Sequence, residues 1–593
     1  MMTKFHLSTT PKRFSLNWQN VMRLIIVLAL NLSVLGAVGP APARAAENEP
    51  DFDGGTVFLP FALVDPRAAG DEPPADETDP ADGGAPADGA PADGGDPADG
   101  DPVDDGEPVQ DGDPADGGLL DDYDIFVVNE ASTYYVATGG SDSSGNGSSS
   151  KPWKTISHAV KKVSDGSTII VRPGTYSGKV LLDRKFSNGI TIRSDKPYQA
   201  KLRNSSDKVI TGTGAGYTLI GFDIAHNSGA KGQYVIQIHD SKQDGTRGRR
   251  YTLRNNVIHD SYNNDLLKIN NGAKDIVVEG NMFYNMGGPE VDNHIDVNSA
   301  TNITIQDNLF FNDFRDSGRT NRNNTGHYIV IKDSNGDSDG IRGSRNIRVR
   351  RNVFFNWEGE VGSAFIGLGD GRKFSFHQAQ DISIENNLFL GNTNNKIHGV
   401  IKIMGAKNVT FRNNTVQGDL PSNSFSMRLI KSGSGLKNAN VRFYNNIWSD
   451  PEGTMGADAP SASQRFSNTP KNDTESYSLN SNLYWNDGRS IPTNSSDLIN
   501  YTKDGGRVLG NPKLPTSLND LVQPCWDAGK KKFDDGSTSI RQAFTRLVNR
   551  YGKISSSSPA RNEANSSNAP SDDILKNPRN QGAPDIGAFE YRP

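Results

Sequence analysis

Apolar positions along this chain fall into short alternating runs rather than long stripes. Between residues 250 and 450 one arrangement recurs: β-branched or aromatic residues flank an asparagine that precedes another apolar pair, as in Thr252-Leu253-Arg254-Asn255-Asn256-Val257-Ile258. The same arrangement returns on Asn281, Asn308, Asn352, Asn387, Asn414 and Asn446. A second alternation precedes it in each repeat, at Leu267-Lys268-Ile269, Ile295-Asp296-Val297, Ile366-Gly367-Leu368 and Ile401-Lys402-Ile403. Period two puts the Ile, Leu and Val side chains on one face of a strand and the residue between them on the other. The shortest steps between repeats are roughly in the mid-twenties, the size of one solenoid coil, and the longer steps imply loops inserted into a coil. The pattern predicts an all-β solenoid whose stacked coils share an aliphatic interior. Each recurring Asn is expected at a turn, in the left-handed region, bonded to its counterparts in adjacent coils. The Leu spacing of a leucine-rich repeat is absent.

Upstream, residues 151–163 carry apolar positions at helical spacing and predict an amphipathic helix capping one end of the stack. Gly166-Ser167-Thr168-Ile169-Ile170-Val171-Arg172-Pro173-Gly174-Thr175-Tyr176 then reads as a strand running into a turn. This pairing of helix and strand resembles the entry to a right-handed parallel β-helix of the pectate-lyase-like superfamily of secreted bacterial proteins. The ending Pro584-Asp585-Ile586-Gly587-Ala588-Phe589-Glu590 resembles the closing strand of such proteins, and Asn511-Pro512 is similar to their exit segment. The resemblance covers roughly Ser132 to Asp450 plus the closing motif. It implies a polysaccharide-lyase-like protein without transferring named catalytic residues. After Asp450 the regularity fades into Asn-, Ser- and Pro-rich sequence, with a helix expected over 539–551.

The flanking sequence sets the expected organisation. A basic start, an apolar run from Leu24 to Val38 and the small-residue stretch Ala43-Arg44-Ala45-Ala46 read as a secretory signal over 1–45, with a retained anchor helix as the alternative. Residues 46–131 hold Pro-Ala-Asp-Gly repeats with too few apolar groups to offset the entropy of folding, and are expected to be a disordered acidic linker. The β-helix core is expected over 132–450, with irregular coils and the closing segment over 451–593. Location outside the cell, in solution or at the cell surface, follows from the leader, with no membrane span after its cleavage. A lone Cys525 excludes an internal disulfide, so burial and backbone hydrogen bonds must hold an exported fold. The formal net charge of -7 hides an asymmetry. The stretch Asp71–Asp122 has many acids and no Lys or Arg, so the folded remainder is mildly basic and suited to an anionic polymer.

Candidate chemistry follows from the outward column. Aligned on inward residues, the coils stack Gln237, Lys268, Asp296, Val330, Gly367 and Lys402, beside His239, Asn270, Asn298, Lys332 and Gly369. Polar density peaks between Asp260 and Asp333. On the resemblance, a lyase would abstract the proton beside a uronate carboxylate. That step needs the carboxylate neutralised by calcium or Arg, and a base whose pKa is lowered. Lys268 is the expected base and Arg319 a catalytic cation, with Lys332, Arg315 and Arg322 contacting substrate. Asp265, Glu290, Asp292 and Asp296 are the expected oxygen ligands for Ca2+. The plain alternatives are a solvated lysine and acid-rich turns facing water. His294 beside Asp296 offers a different chemistry, an acid/base pair of a glycosidase or uronate epimerase. The expected partner is an acidic polysaccharide rather than a nucleic acid, the expected state a monomer and the expected reaction β-elimination. A non-catalytic carbohydrate-binding surface protein is the reading from another class.

Overall fold

A computed structural model describes residues 133–593 except the short stretches 231, 241–247, 288–291, 320–324, 337, 360–362, 393–394, 396, 421–423, 456–464 and 581. The expected leader and acidic linker lie outside the described residues, as do Glu290 and Arg322.

Three parallel sheets form the fold, and each turn of the chain away from the two ends contributes one strand to each. Sheet 1 has 12 strands, among them Arg249–Arg254, Lys274–Glu279 and Thr301–Gln306. Sheet 2 also has 12, including Val257–His259, Met282–Tyr284 and Leu309–Phe311. Sheet 3 has 10, including Ile236–His239, Leu267–Asn270, Ile295–Asn298, Ile329–Lys332, Ala364–Leu368, Gly399–Met404 and Met427–Ile430. The fold expected from the repeats, a right-handed parallel β-helix solenoid, is the one observed. Helix α1, Ile156–Lys162, covers its first coils with Ile156, Ala159 and Val160 buried, and Thr155 caps it by accepting from the His158 amide. Among the described residues no helix is long and apolar enough to cross a membrane.

Inside, identical residue types stack coil on coil. The rings of Phe283, Phe310, Phe354 and Phe389 lie nearly parallel at centroid spacings of 5.1, 4.9 and 4.7 Å. At the corner between sheets 1 and 2 an asparagine ladder runs from Asn256 through Asn281, Asn308, Asn352, Asn387, Asn414 and Asn446 to Asn482. Each Nδ2 donates to the Oδ1 of the next at 2.8–3.2 Å. The same Oδ1 also accepts the backbone N–H of the preceding Asn. The last rung is a carboxylate: Asp504 Oδ2 accepts from Asn482 Nδ2 at 2.7 Å and from the Tyr484 hydroxyl at 3.1 Å. One detail differs from expectation. The left-handed conformation belongs to the residue before each ladder Asn (Asn255, Gly280, Asp307, Arg351, Asn386, Asn413, Asn445, Ser481), which turns the chain so that the Asn can point inward.

The C-terminal region departs from the sequence reading. Coils continue past Asp450, through Tyr477–Asn480 and Leu483–Asn486 to Val508–Leu509. The rest of the chain is neither irregular coils nor a closing strand; it lies across the outer face of sheet 2. That face presents Val257, Met282, Leu309, Val353, Leu388, Ile447 and Leu483, all fully buried in a second core. Phe533 and Trp526 pack on Tyr198 at 5.4 and 4.9 Å. Helix α2, Ile540–Leu547, turns Ile540, Ala543, Phe544 and Leu547 inward, shorter than the expected 539–551 because a π-type turn takes over at Val548–Gly552. The return leg is pinned by Asp572, which meets Arg350 at 2.6 Å and Arg351 at 2.9 Å. The Pro584–Glu590 motif joins no sheet. Its Gly587 donates to Asn445 O at 2.8 Å, and at φ +96 a Cβ there would lie 2.6 Å from Ile447 Cδ1, so glycine is required.

Candidate functional site

Insertion lengths single out one face. From Gly221-Phe222 onward the turn from sheet 1 to sheet 2 is always two residues, so that corner cannot grow. The long connections 312–328 and 451–466 lead into sheet 3, and 333–343 and 369–378 lead out of it. Sheet 3 is thus the face bordered by the long connections, the usual setting for a ligand groove.

Register sets the floor. Gln237, Lys268, Asp296, Val330, Gly367, Lys402 and Arg428 are successive partners on sheet 3, one per coil. Neighbouring strands are about 4.8 Å apart, so Asp296 and Lys402, three steps apart, are separated by roughly 14 Å. Two charged groups therefore occupy two ends of one column.

The first group gathers Asp265, Lys268, Asp292, Asp296 and Lys332. Lys268 Nζ is bonded to Asp296 Oδ2 and lies 3.9 Å from Asp265 Oδ2, while Lys332 Nζ lies 3.9 Å from Asp296 Oδ2. Asp265, Asp292 and Asp296 are all buried. Burial alone would lower the Lys268 pKa, but the charges of Asp296 and Asp265 outweigh it and hold the ammonium above its ordinary value. Burial, with the charge of Asp296 behind it, raises Asp265 to about 6 against the pull of Lys268. Tyr234, half-buried, lays its ring 5.9 Å from Lys268 Nζ, and burial together with Asp265, Asp296 and Asp292 pushes its hydroxyl pKa up.

The second group gathers Lys402, Arg428 and His398. Lys402 sits outward on its strand yet is 3% exposed, and burial followed by the charge of Arg428 brings its pKa down to about 7. Arg428 Nη1 donates to His398 Nδ1. A guanidinium only donates, so this His398 nitrogen is the acceptor. Between the two groups the His327 ring lies over Gly367, where a Cβ would come within 1.8 Å of it. Burial, then the charge of Lys332, lowers His327 to about 3 and keeps it neutral.

The structure brings some expected residues together and removes others. Asp265, Lys268, Asp292, Asp296 and Lys332 do converge. Lys268, however, is committed to Asp296 as an ion pair, the wrong protonation state for a base. His294 is not on the groove: it is fully buried, stacked 4.3 Å from Tyr328, with Nε2 on Asn312 Oδ1 at 3.0 Å. Burial lowers it to about 3, so the expected His294–Asp296 acid/base pair does not form. Arg319 pins a corner instead of facing the column, donating to Asp260 at 2.8 Å and to the carbonyls of Asn285, Ser261 and Gly287. Arg315 is exposed on the connection 312–328, its backbone N–H on Glu358 Oε2 at 3.2 Å.

The sequence reading placed Lys402 in the column but passed over its chemistry, and it missed Arg428, Tyr234 and His327. The signal for Arg428 was present, because Met427-Arg428-Leu429 repeats the alternation of Ile401-Lys402-Ile403 one coil later.

Calcium takes about six to eight oxygen ligands. Here the space between Asp265 and Asp296 is filled by the Lys268 ammonium, and among the described residues no group of three or more His, Cys, Asp or Glu side chains converges to hold a metal ion. The Lys268 ammonium takes the place between Asp265 and Asp296 that a calcium ion would need, and Glu290 lies outside the described residues.

No family model matches the sequence, and no curated protein matches it. Among solved structures the chain is similar to the pectate lyase Pel9A, at 15% identity and a TM-score of 0.43 over 78% of this chain and 96% of that one. It is similar to XylC in complex with xylose, at 12% identity and a TM-score of 0.43 over 77% and 98%. A third is the A-module of the mannuronan C-5 epimerase AlgE6 of Azotobacter vinelandii, at 13% identity and a TM-score of 0.38 over 60% and 93%. The architecture itself is read from this chain's own strand register.

Proposed function

We propose that the protein is a secreted polysaccharide lyase that cleaves an acidic, uronate-containing polymer by β-elimination, with Lys402 rather than Lys268 as its base. One observation carries this reading: Lys402 and Arg428 occupy consecutive positions of the groove column, and the lysine is brought to about 7 by burial and by that arginine. A base titrating near the working pH is half neutral and still a competent proton acceptor. The Arg428 guanidinium offsets a uronate carboxylate, which makes the neighbouring C–H acidic enough to lose its proton. Neutral Lys402 takes that proton, the electron pair forms the double bond, the β C–O bond breaks, and the departing oxygen takes a proton back from the Lys402 ammonium. None of these steps requires a metal.

The test is to incubate the purified protein with pectate, alginate and glycosaminoglycans, each with calcium and with chelator, and follow unsaturated uronate absorbance. Lys402→Ala is expected to reduce elimination by about a hundredfold or more, in the range of a lost general base, while Lys268→Met keeps a measurable rate. Absence of unsaturated product from every polymer, or full activity in Lys402→Ala, would overturn the assignment.

A second reading rests on Asp265 and Asp296, whose pKa values are driven apart, one up to about 6 and one below the usual carboxylate range. Such a pair suits a glycosidase with Asp265 as acid and Asp296 as base. New reducing ends without unsaturation would favour it.

A further inference from the structure

The two charged groups of the groove differ in what they offer a bound polymer. At the Lys402–Arg428 end, two basic side chains stand on consecutive coils and no carboxylate joins them in the column. At the other end, Asp265, Asp292 and Asp296 surround Lys268, whose ammonium already lies on Asp296 and near Asp265, and Lys332 is 3.9 Å from the same Asp296. A uronate carboxylate entering that end would meet three buried acids and cations already held by them. A sugar hydroxyl would not. Asp296 Oδ1 is a buried acceptor with no hydrogen-bond partner among the described residues, and the half-exposed Tyr234 ring, 5.9 Å from the Lys268 ammonium, offers an apolar face. Buried acceptors of this kind favour a ligand that donates, because leaving them unsatisfied costs free energy. Val330, Gly367 and the neutral His327 ring lie between the ends.

Resting on the lyase reading above, we propose that the groove takes an alternating polymer, with a uronate at Lys402–Arg428 and an uncharged sugar at Asp265–Asp296. The charge pattern of the column then selects against homopolyuronates. Lys268 serves this subsite as a fixed internal cation that allows the carboxylates to stay buried, and its role is positional.

The full chain carrying Lys402→Arg, which keeps the cation of the uronate site but stays protonated and so leaves substrate intact, separates recognition from turnover. Isothermal titration compares an alternating uronate–N-acetylhexosamine oligosaccharide and an alternating rhamnose–galacturonate oligosaccharide with oligogalacturonate and oligomannuronate of equal length, all in chelator. At least one alternating probe is expected to bind about tenfold or more tighter than both homouronates, the scale of an avoided like-charge contact. Asp265→Asn is expected to shrink that preference, with Asp296→Asn as a second variant should the first fail to fold. Equal binding of the two classes, tighter binding of a homouronate, or binding of none overturns the proposal. Preserved preference together with a lyase-inactive wild type would instead count against the elimination chemistry alone.

Discussion

At the scale of single residues, the same amino acid in the same pattern acquires opposite properties from its neighbours. Lys268 and Lys402 each stand between two aliphatic residues on sheet 3, in Leu267-Lys268-Ile269 and Ile401-Lys402-Ile403. Carboxylates surround the first and hold its proton; burial and an arginine loosen the proton of the second. Sequence periodicity shows that both face outward, but protonation depends on residues far apart in the chain. That is why the column was legible and the protonation states along it were not. A consequence is that the elimination rate should rise with pH through about 7 as Lys402 loses its proton, and level off above it. A profile without a limb near 7 would disconnect Lys402 from the reaction. His259 gives a second prediction. Burial alone would lower its pKa, yet Asp260 and Asp223, each 2.8 Å from a ring nitrogen, raise it from 6.5 to about 9. Because the folded value lies above the unfolded one, the stabilisation is complete below about 6.5 and is lost as pH climbs through about 9. The thermal midpoint of the wild type should fall over that interval, and a His259→Gln variant should show a flatter dependence.

Individual elements repeat, and repetition is what made them readable. The asparagine of each coil announced a ladder. Its left-handed predecessor was harder to see, since Asn, Gly, Asp, Arg and Ser all occupy that position. Asn352 shows what a rung does: its Oδ1 accepts from the backbone and side chain of Asn308, and its Nδ2 donates to Asn387 Oδ1 and Ile305 O. Asn352→Ala leaves the backbone and side-chain N–H groups of Asn308 that it accepts from without a partner, and should cost about 1–3 kcal/mol for each group left unsatisfied. Chemical denaturation would measure this, and a change within error would mean that the ladder contributes little. Sheet 2 held a signal that went unused. Met282-Phe283-Tyr284 and Leu309-Phe310-Phe311 are apolar on both faces, which is the mark of a strand covered from both sides. Period two was read from sheet 3 and sheet 1, so the cover over sheet 2 was not anticipated.

Across the whole described chain, the fold-back of residues 510–593 changes how the coils depend on one another. A solenoid is held together by contacts between neighbours. Here Tyr198 near the start, Arg350 and Arg351 in the middle, and Asn445 near the end all bond to one C-terminal segment. Arg579 is its anchor, its side chain 1% exposed, paired with Glu590 at 2.6 Å and donating to the carbonyls of Gly587 and Ala588. Arg579→Ala leaves Glu590 buried without its cation and should cost about 3–5 kcal/mol, as broken buried pairs do. In limited proteolysis the variant should be cut first between residues 510 and 593. Cleavage beginning within the coils would show that the segment does not guard them.

The invariant two-residue corner between sheets 1 and 2 also divides the gene. On one side lies sequence that accepts no added length, because a third residue would shift the ladder Asn off its rung. On the other lie connections that have already absorbed insertions of many sizes without disturbing the register. New specificities can therefore be written into this scaffold, by selection or by a protein engineer, as loop cassettes entering and leaving sheet 3, with the coil framework left as it is.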